Sequence, residues 1–134
     1  MRKLDPTTFV SVRQLTVPDI DEAAASGIRL IVNNRPDGEE PGQPASAEIE
    51  AAARAAGLDY RHIPIAGGFP PERVEAMAEA LERGPVLAFC RSGTRSTFLW
   101  ALARASLGAD PDSLLRQAGD AGYDLSPLAA HLRP

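Results

Sequence analysis

The stretch that decides the fold is residues 86–97, which read VLAFCRSGTRST. Its first four residues form an uninterrupted apolar run, the pattern of a central strand covered on both faces. The segment from Thr94 to Leu107 is apolar around most of its circumference, which predicts a buried helix. Between the two, Cys90 to Gly93 form a polar loop at the carboxyl end of the strand, where open α/β sheets bind their ligands.

Outward from this stretch, short apolar runs alternate with helical segments along the chain. Strands are predicted at residues 9–12, 28–32 and 60–65, and helices at 16–27, at 46–56, from 71 to 83, and from about 112 and 126. This alternation predicts an α/β fold with a central, mostly parallel sheet of about four to five strands flanked by helices. With 134 residues, the chain has room for a single domain spanning 1–134.

The composition excludes several classes of protein. The single cysteine cannot form a disulfide within the chain, and Cys90, His62 and His131 are too far apart in sequence to predict a metal site. A net charge of -4 argues against nucleic acid binding, and no cofactor motif is present. The longest apolar run, residues 98–103, is far shorter than the roughly 20 residues of a membrane span. Because residues 1–6 also lack an apolar signal core, we expect a cytoplasmic protein.

The loop after the strand has the composition of an anion-binding site. Backbone N–H groups in a tight strand-to-helix turn point inward, and the helix N-terminus adds partial positive charge. Gly93 permits the backbone geometry of such a turn, and Arg95 can hold an oxyanion with two parallel hydrogen bonds. We therefore predict anion contacts from the Arg95 guanidinium and from the loop residues Arg91, Ser92, Gly93, Thr94 and Ser96.

The same surroundings predict a reactive thiol at Cys90. A helix N-terminus and neighbouring arginines lower the pKa of a thiol, so that it is a thiolate at neutral pH. A hydroxyl from Ser92 or Ser96 would lower it further by donating to the sulfur. A purely structural cysteine would not be followed by polar, charged and glycine residues. We therefore assign Cys90 as the catalytic nucleophile and Arg95 as its catalytic partner.

The chain resembles known cysteine enzymes. Residues 90–96 resemble the active-site loop of the rhodanese sulfurtransferases, in which four residues separate the cysteine from the arginine and the cysteine carries a persulfide. The loop is also similar, one residue shorter, to the phosphate loop of cysteine-dependent phosphatases. Residues 31–44, 60–68 and 118–125 are similar to the beta-lactamase-hydrolase-like phosphatase-domain family. That resemblance implies a dual-specificity-phosphatase-like fold and, since relatives are named as sulfur transferases or are fused to sulfide-oxidising modules, a role in sulfide or persulfide metabolism.

Two departures from the phosphatase pattern rank the candidate reactions. Phosphatases place a histidine before the nucleophile, where this chain has Phe89, and an aspartate acid on a loop that matches residues 65–69, where this chain has no carboxylate. A general acid contributes about 10²–10⁴-fold to cleavage of a phosphate ester, because the leaving oxygen needs a proton. Sulfur transfer needs no such acid, since the leaving sulfite or thiolate is stable as an anion.

We therefore predict a rhodanese-type sulfurtransferase in which Cys90 carries a persulfide taken from a small anionic donor, such as thiosulfate or a persulfide. An external thiol must accept the sulfur, because the chain has no second cysteine, and a sulfide-oxidising protein is a candidate partner. The alternative is a protein-tyrosine or dual-specificity-like phosphatase that cleaves a phosphate ester through a cysteinyl-phosphate. A third hypothesis is a non-catalytic module that binds anions or persulfides.

A turn at residues 35–40 and one residue near the N-terminus are candidates for roles around the cysteine loop. The sequence RPDG is an ordinary turn signal. Because Asp37 follows a strand end, it is also a candidate substitute acid or a candidate partner that positions Arg95 or Arg35. The resemblance implies a role for Arg35 and Asp37 in orientation more than in proton transfer. The sequence leaves open whether Asp37 reaches the cysteine loop. Glu39 and Glu40 are expected in a solvated turn, and the resemblance allows Gln14 at the rim of the site.

Overall fold

The computed structural model describes residues 1–133. Five strands lie in this range: β1 (Arg2–Asp5), β2 (Thr8–Val10), β3 (Leu30–Asn33), β4 (Asp59–His62) and β5 (Val86–Phe89). The helices in the same range are α1 (Val17–Ala25), α2 (Ser46–Ala55), α3 (Pro71–Leu81), α4 (Thr94–Ser106), α5 (Pro111–Asp120) and α6 (Ala129–Leu132), with a 3₁₀ turn at Ser126–Leu128 before α6. The predicted alternation of strands and helices is confirmed.

The sheet has the strand order β1-β2-β5-β3-β4, with β5 at its centre. β5 pairs in parallel with β2 and β3, and β4 pairs in parallel with β3. β1 pairs antiparallel with β2 at the edge of the sheet. The predicted α/β class, with a mostly parallel sheet flanked by helices, is therefore confirmed.

Two apolar clusters cover the two faces of the sheet, and β5 contributes to both. Val86 and Ala88 face the cluster formed with α3, α4 and the C-terminal helices, while Leu87 and Phe89 face the cluster formed with α1 and α2. This alternation is the period-two geometry of a strand. Trp100 of α4 is fully buried in the first cluster. The strand and helix on either side of the cysteine loop are thus fixed in the core.

Some boundaries differ from the prediction. The strand predicted over 60–65 ends at His62, because Pro64 has no N–H to donate to the sheet. The strand predicted over 28–32 begins two residues later, at Leu30. The sequence does not predict β1, because three of its four residues are charged. An edge strand tolerates charged residues, since it pairs with a neighbouring strand on one side only. Within residues 1–133, no helix has the length and apolar character needed to cross a membrane.

Three segments that are distant in sequence meet at the carboxyl edge of the parallel strands. Ser11 follows β2, Asn34 follows β3 and Cys90 follows β5. The Ser11 N–H donates to the Ala88 carbonyl at 2.9 Å, and the Asn34 N–H donates to the Phe89 carbonyl at 2.8 Å. The loop after β5 is therefore flanked on both sides by neighbouring chain, as expected for a ligand site in an open α/β sheet.

Candidate active site

Cys90 lies at the base of the loop that joins β5 to α4. Its side chain is buried, with 1% of its surface exposed, and its Sγ accepts a hydrogen bond from the Gly93 N–H at 3.1 Å. Burial raises the pKa of the thiol, but hydrogen bonds from the backbone and hydroxyl of Ser96 and from the backbone of Ser92 and Gly93 outweigh it, so the pKa lies below its ordinary value. The loop therefore favours the thiolate.

The structure distinguishes the two serines of the loop. The Ser96 hydroxyl is fully buried and makes no hydrogen bond to another described residue in this structure. A buried hydroxyl without a partner is destabilising, and donation from the Ser96 hydroxyl to an ionised sulfur is one of the factors that lower the pKa of Cys90. The Ser92 hydroxyl instead lies 3.3 Å from the Thr94 hydroxyl on the exposed side of the loop. Ser96 is therefore the hydroxyl that stabilises the thiolate.

The Arg95 guanidinium is held from one side by a carboxylate. Its Nη1 and Nη2 donate to the two oxygens of Glu39 at 2.7 and 2.9 Å, and Nη1 also donates to the Ile65 carbonyl at 3.0 Å. The Glu39 carboxylate and, to a smaller extent, the Cys90 thiolate raise the pKa of Arg95. The Nε–H group of Arg95 donates to neither Glu39 nor Ile65. The edge formed by Nε and Nη2 can therefore bind an oxyanion in two-pronged geometry.

Glu39 and Glu40 form a charged cluster with three arginines. The Arg35 Nε donates to Glu39 Oε1 at 3.0 Å, and Glu40 Oε1 lies 3.1 Å from Arg35 Nη2 and 2.7 Å from Arg91 Nε. Arg95 and, next, Arg35 hold the pKa of Glu39 below its ordinary value. Glu39 and Glu40 lie in an exposed turn, as expected, but both pair with arginines, which are Arg35 of the same turn and Arg91 and Arg95 of the cysteine loop.

Arg35 is buried, with 4% of its surface exposed, and three polar side chains contact it besides the two carboxylates. Its Nη1 donates to Gln14 Oε1 at 2.9 Å, its N–H donates to Asn33 Oδ1 at 2.8 Å, and its carbonyl lies 2.9 Å from His62 Nε2. Arg35 is connected to the cysteine loop through two carboxylates, Glu39 with Arg95 and Glu40 with Arg91. It therefore has the contacts of a positioning residue.

Asp37 lies in the turn after β3, and its side chain contacts the first residue of α2. Its side chain is exposed, and its Oδ1 accepts a hydrogen bond from the Ser46 N–H at 2.8 Å, which satisfies one free donor of that helix. Among residues 1–133, no hydrogen bond or ion pair joins Asp37 to Cys90 or Arg95. Its assignment as a substitute acid stays a prediction.

Tyr123, which follows α5, contacts the loop and was given no role by the sequence analysis. Its hydroxyl donates to the Ser92 carbonyl at 2.8 Å. Gly93 has a φ of +93°, and a Cβ at this position would overlap the Tyr123 hydroxyl and lie 2.8 Å from the Ser11 carbonyl. Position 93 therefore requires glycine for both conformation and space. No local sequence signal links Tyr123 to a loop 30 residues earlier.

The predicted loop residues are thus brought together, with Arg91, Ser92 and Thr94 exposed at its mouth and Gly93 and Ser96 buried beside the sulfur. Within the described residues, no group of three or more His, Cys, Asp or Glu side chains is placed to hold a metal ion.

The family model for the beta-lactamase hydrolase-like protein, phosphatase-like domain, matches residues 1–107. The chain belongs to this family. A beta-lactamase hydrolase-like protein of Agrobacterium fabrum is 40% identical over 119 residues, which are 84% of this chain and 27% of that protein. The chain thus spans about a quarter of the length of the curated relatives it matches. The expected family is confirmed.

Solved structures share the fold of this phosphatase-like domain. A candidate phosphatase from Neisseria meningitidis is 36% identical, with a TM-score of 0.83 over 98% of this chain and 94% of that chain. A candidate phosphatase of the DUF442 family from Shewanella putrefaciens is 19% identical, with a TM-score of 0.72 over 98% of this chain and 86% of that chain, and shows the fold alone. The expected dual-specificity-phosphatase-like fold is confirmed. The comparisons support a phosphatase-like enzyme and favour the phosphatase alternative over sulfur transfer.

Proposed function

We propose that the chain is a cysteine-dependent group-transfer enzyme that uses the Cys90 thiolate as its nucleophile, and that the transferred group is a sulfane sulfur. The proposal rests on the charge of the carboxylate that accepts hydrogen bonds from Arg95. The carboxylate bound to this arginine, Glu39, is kept ionised by two guanidinium groups. An ionised carboxylate cannot give a proton to a leaving group. The site therefore suits a reaction whose leaving group departs as a stable anion.

The first half of the reaction uses the lowered pKa of Cys90. The Sγ electron pair attacks the outer sulfur of a donor such as thiosulfate, the donor S–S bond breaks, and sulfite leaves with the bonding electrons. Cys90 then carries a persulfide whose terminal sulfur is negatively charged. The Arg95 guanidinium and the backbone N–H groups of the loop stabilise the bound donor and then the persulfide.

The second half requires an acceptor from outside the chain, since Cys90 is its only cysteine. An external thiolate attacks the terminal sulfur of the persulfide, and the S–S bond to Cys90 breaks. The thiolate of Cys90 is restored, and the acceptor leaves as a persulfide. No proton is transferred to or from a protein carboxylate in either half.

Hydrolysis of a phosphate ester is the second candidate, and the comparisons favour it. The matching family model is named for a phosphatase-like domain, and the Neisseria meningitidis relative is named as a candidate phosphatase. In this reaction Cys90 would attack phosphorus and form a cysteinyl-phosphate, which water would cleave. An ester with an alkoxide leaving group would need an acid, whereas an activated aryl ester would not.

Parallel assays separate the candidates. We expect the protein to turn over thiosulfate with a small thiol, and intact-protein mass spectrometry to show the gain of one sulfur atom on wild-type protein but not on Cys90→Ser. The matched substrates are an activated aryl phosphate and an alkyl phosphate. Phosphate release from both esters at higher kcat/KM than sulfur transfer, with no persulfide, would establish the phosphatase. No turnover of any substrate would favour the binding module.

A further inference from the structure

The Ser92–Gly93 peptide unit makes one hydrogen bond from each of its edges. The Ser92 carbonyl accepts from the Tyr123 hydroxyl at 2.8 Å, and the Gly93 N–H donates to Cys90 Sγ at 3.1 Å. In a planar trans peptide the C=O and N–H bonds point in opposite directions. The orientation of the carbonyl toward Tyr123 therefore also fixes the direction of the N–H toward the sulfur.

The backbone around Gly93 does not by itself fix the orientation of this peptide unit, so a hydrogen bond from elsewhere in the chain is needed to fix it. Gly93 adopts a φ of +93°, and glycine populates positive and negative φ about equally. Rotation of the unit changes the ψ of Ser92 and the φ of Gly93, so glycine opposes it weakly. The carbonyl of Gly93 is anchored by Thr97, whose N–H and hydroxyl donate to it at 2.9 and 2.8 Å. The unit before Gly93 has no such anchor on α4.

Tyr123 is itself well placed to supply that anchor. Its N–H donates to the Ala118 carbonyl at 2.8 Å, and the Arg2 guanidinium lies 5.9 Å from the centre of its ring. Arg2 Nη1 also donates to the Ala121 carbonyl at 2.7 Å, which ties β1 to the end of α5. Burial is the main factor that raises the pKa of Tyr123, so the hydroxyl keeps the proton that it donates.

We propose that Tyr123 is a positioning residue for the nucleophile: its hydroxyl holds the Ser92–Gly93 peptide unit so that the Gly93 N–H stabilises the Cys90 thiolate. This inference rests on the proposed function, because it takes Cys90 as the nucleophile, and it adds the residue that positions the group stabilising the thiolate. It concerns the charge state of the sulfur in the free protein. It is therefore testable without any substrate.

The test is the pH dependence of Cys90 alkylation by iodoacetamide in wild type and Tyr123→Phe. The substitution keeps the ring and removes one hydroxyl. We expect the alkylation profile to shift to higher pH, and inorganic phosphate to protect Cys90 about three- to tenfold more weakly, as for loss of one hydrogen bond between neutral groups. Tyr60→Phe is the matched control, since its hydroxyl contacts Asn33 and Ser46 and neither Cys90 nor Arg95.

A second measurement separates positioning from stability. The Gly93 amide resonance of wild-type protein should titrate together with Cys90, and the amplitude of this titration should fall in Tyr123→Phe. Thermal unfolding of both tyrosine variants gives the stability effect alone. An unchanged alkylation profile and an unchanged Gly93 titration in folded Tyr123→Phe would overturn the proposal. Absence of sulfur transfer in wild-type protein, with the expected alkylation shift in Tyr123→Phe, would count against the proposed function and leave the positioning role standing.

Discussion

Two carboxylate–arginine clusters lie at opposite ends of α4 and serve different purposes. Arg104, in the last turn, donates from Nε to Asp5 Oδ2 at 3.0 Å, and Trp100 Nε1 donates to the same oxygen at 2.7 Å. Arg95, in the first turn, pairs with Glu39. The two arginines are nine residues apart, which separates them by roughly 14 Å along the helix. The first cluster lies at the amino edge of the parallel strands and the second at the carboxyl edge.

The helix dipole favours one of these arginines and opposes the other. A cation is stabilised at a helix C-terminus and destabilised at an N-terminus, so Arg104 is favourably placed and Arg95 is not. Asp5 is 9% exposed and enclosed by donors, whereas Glu39 keeps 29% of its side chain exposed. The difference indicates that the Arg104 cluster stabilises the fold, while Glu39 holds an arginine that the fold alone would not favour.

Replacing Arg95 should have the largest effect on the active site. Arg95→Lys keeps the positive charge but removes the forked geometry that binds an oxyanion. We expect kcat/KM for thiosulfate to fall about 100-fold, as for loss of an oxyanion-binding donor, while the free energy of unfolding changes by less than about 1 kcal/mol. Arg104→Lys is the matched control and should leave kcat/KM near the wild-type value. Retention of most activity in Arg95→Lys would remove the distinction between the clusters.

Replacing Asp5 should affect stability and leave turnover unchanged. Asp5→Asn should lower the free energy of unfolding at pH 7 by about 2 kcal/mol, since a charged hydrogen-bond acceptor is lost from a buried site. Burial raises the pKa of Asp5, but hydrogen bonds from Trp100 and Thr7 and the charge of Arg104 outweigh it and lower the pKa below 3.8.

The pH dependence of stability follows from the sign of this shift. A carboxyl whose folded pKa is lowered stabilises the fold above its unfolded pKa, and this contribution is lost as the pH falls through the folded pKa. Wild-type protein should therefore lose stability below about pH 4 in urea titrations, and Asp5→Asn should lose less over the same interval. Equal slopes for the two proteins would show that Asp5 does not carry the acid sensitivity.

Replacing Glu39 should have the smallest effect. Glu39→Gln removes the charge that holds Arg95 but leaves Nε and Nη2 of the arginine in place, so we expect kcat/KM to fall about three- to tenfold. The free energy of unfolding should change by less than about 1 kcal/mol, because the pair is partly exposed. Glu50→Gln, which removes the partner of Arg54 on α2, should have no effect on kcat/KM. A rise in activity would show that Glu39 competes with the substrate.

Contacts between residues close together in the sequence could be predicted, whereas contacts between distant segments could not. Cys90, Ser96 and Arg95 lie within seven residues of one another, and the strand–loop–helix signal around them is local, so the loop and the burial of the strand and helix beside it were predictable. The roles of Glu39 and Tyr123 depend on contacts across 56 and 31 residues. A composition rich in turn signals around Glu39 correctly predicts solvent exposure, but nothing in that segment identifies Arg95, 56 residues later, as a partner of Glu39.

The convergence of distant segments on one peptide unit has a consequence for biosynthesis. Cys90 is synthesised well before Tyr123, and a nascent chain that ends between them contains the nucleophile but lacks its positioning residue. Until α5 and β1 have docked, Tyr123 does not hold the Ser92–Gly93 peptide unit, and the Cys90 thiolate lacks the part of its stabilisation that the Gly93 N–H supplies. In an unfinished or locally opened chain, the only thiol is therefore less reactive toward alkylating and oxidising agents than in the complete site.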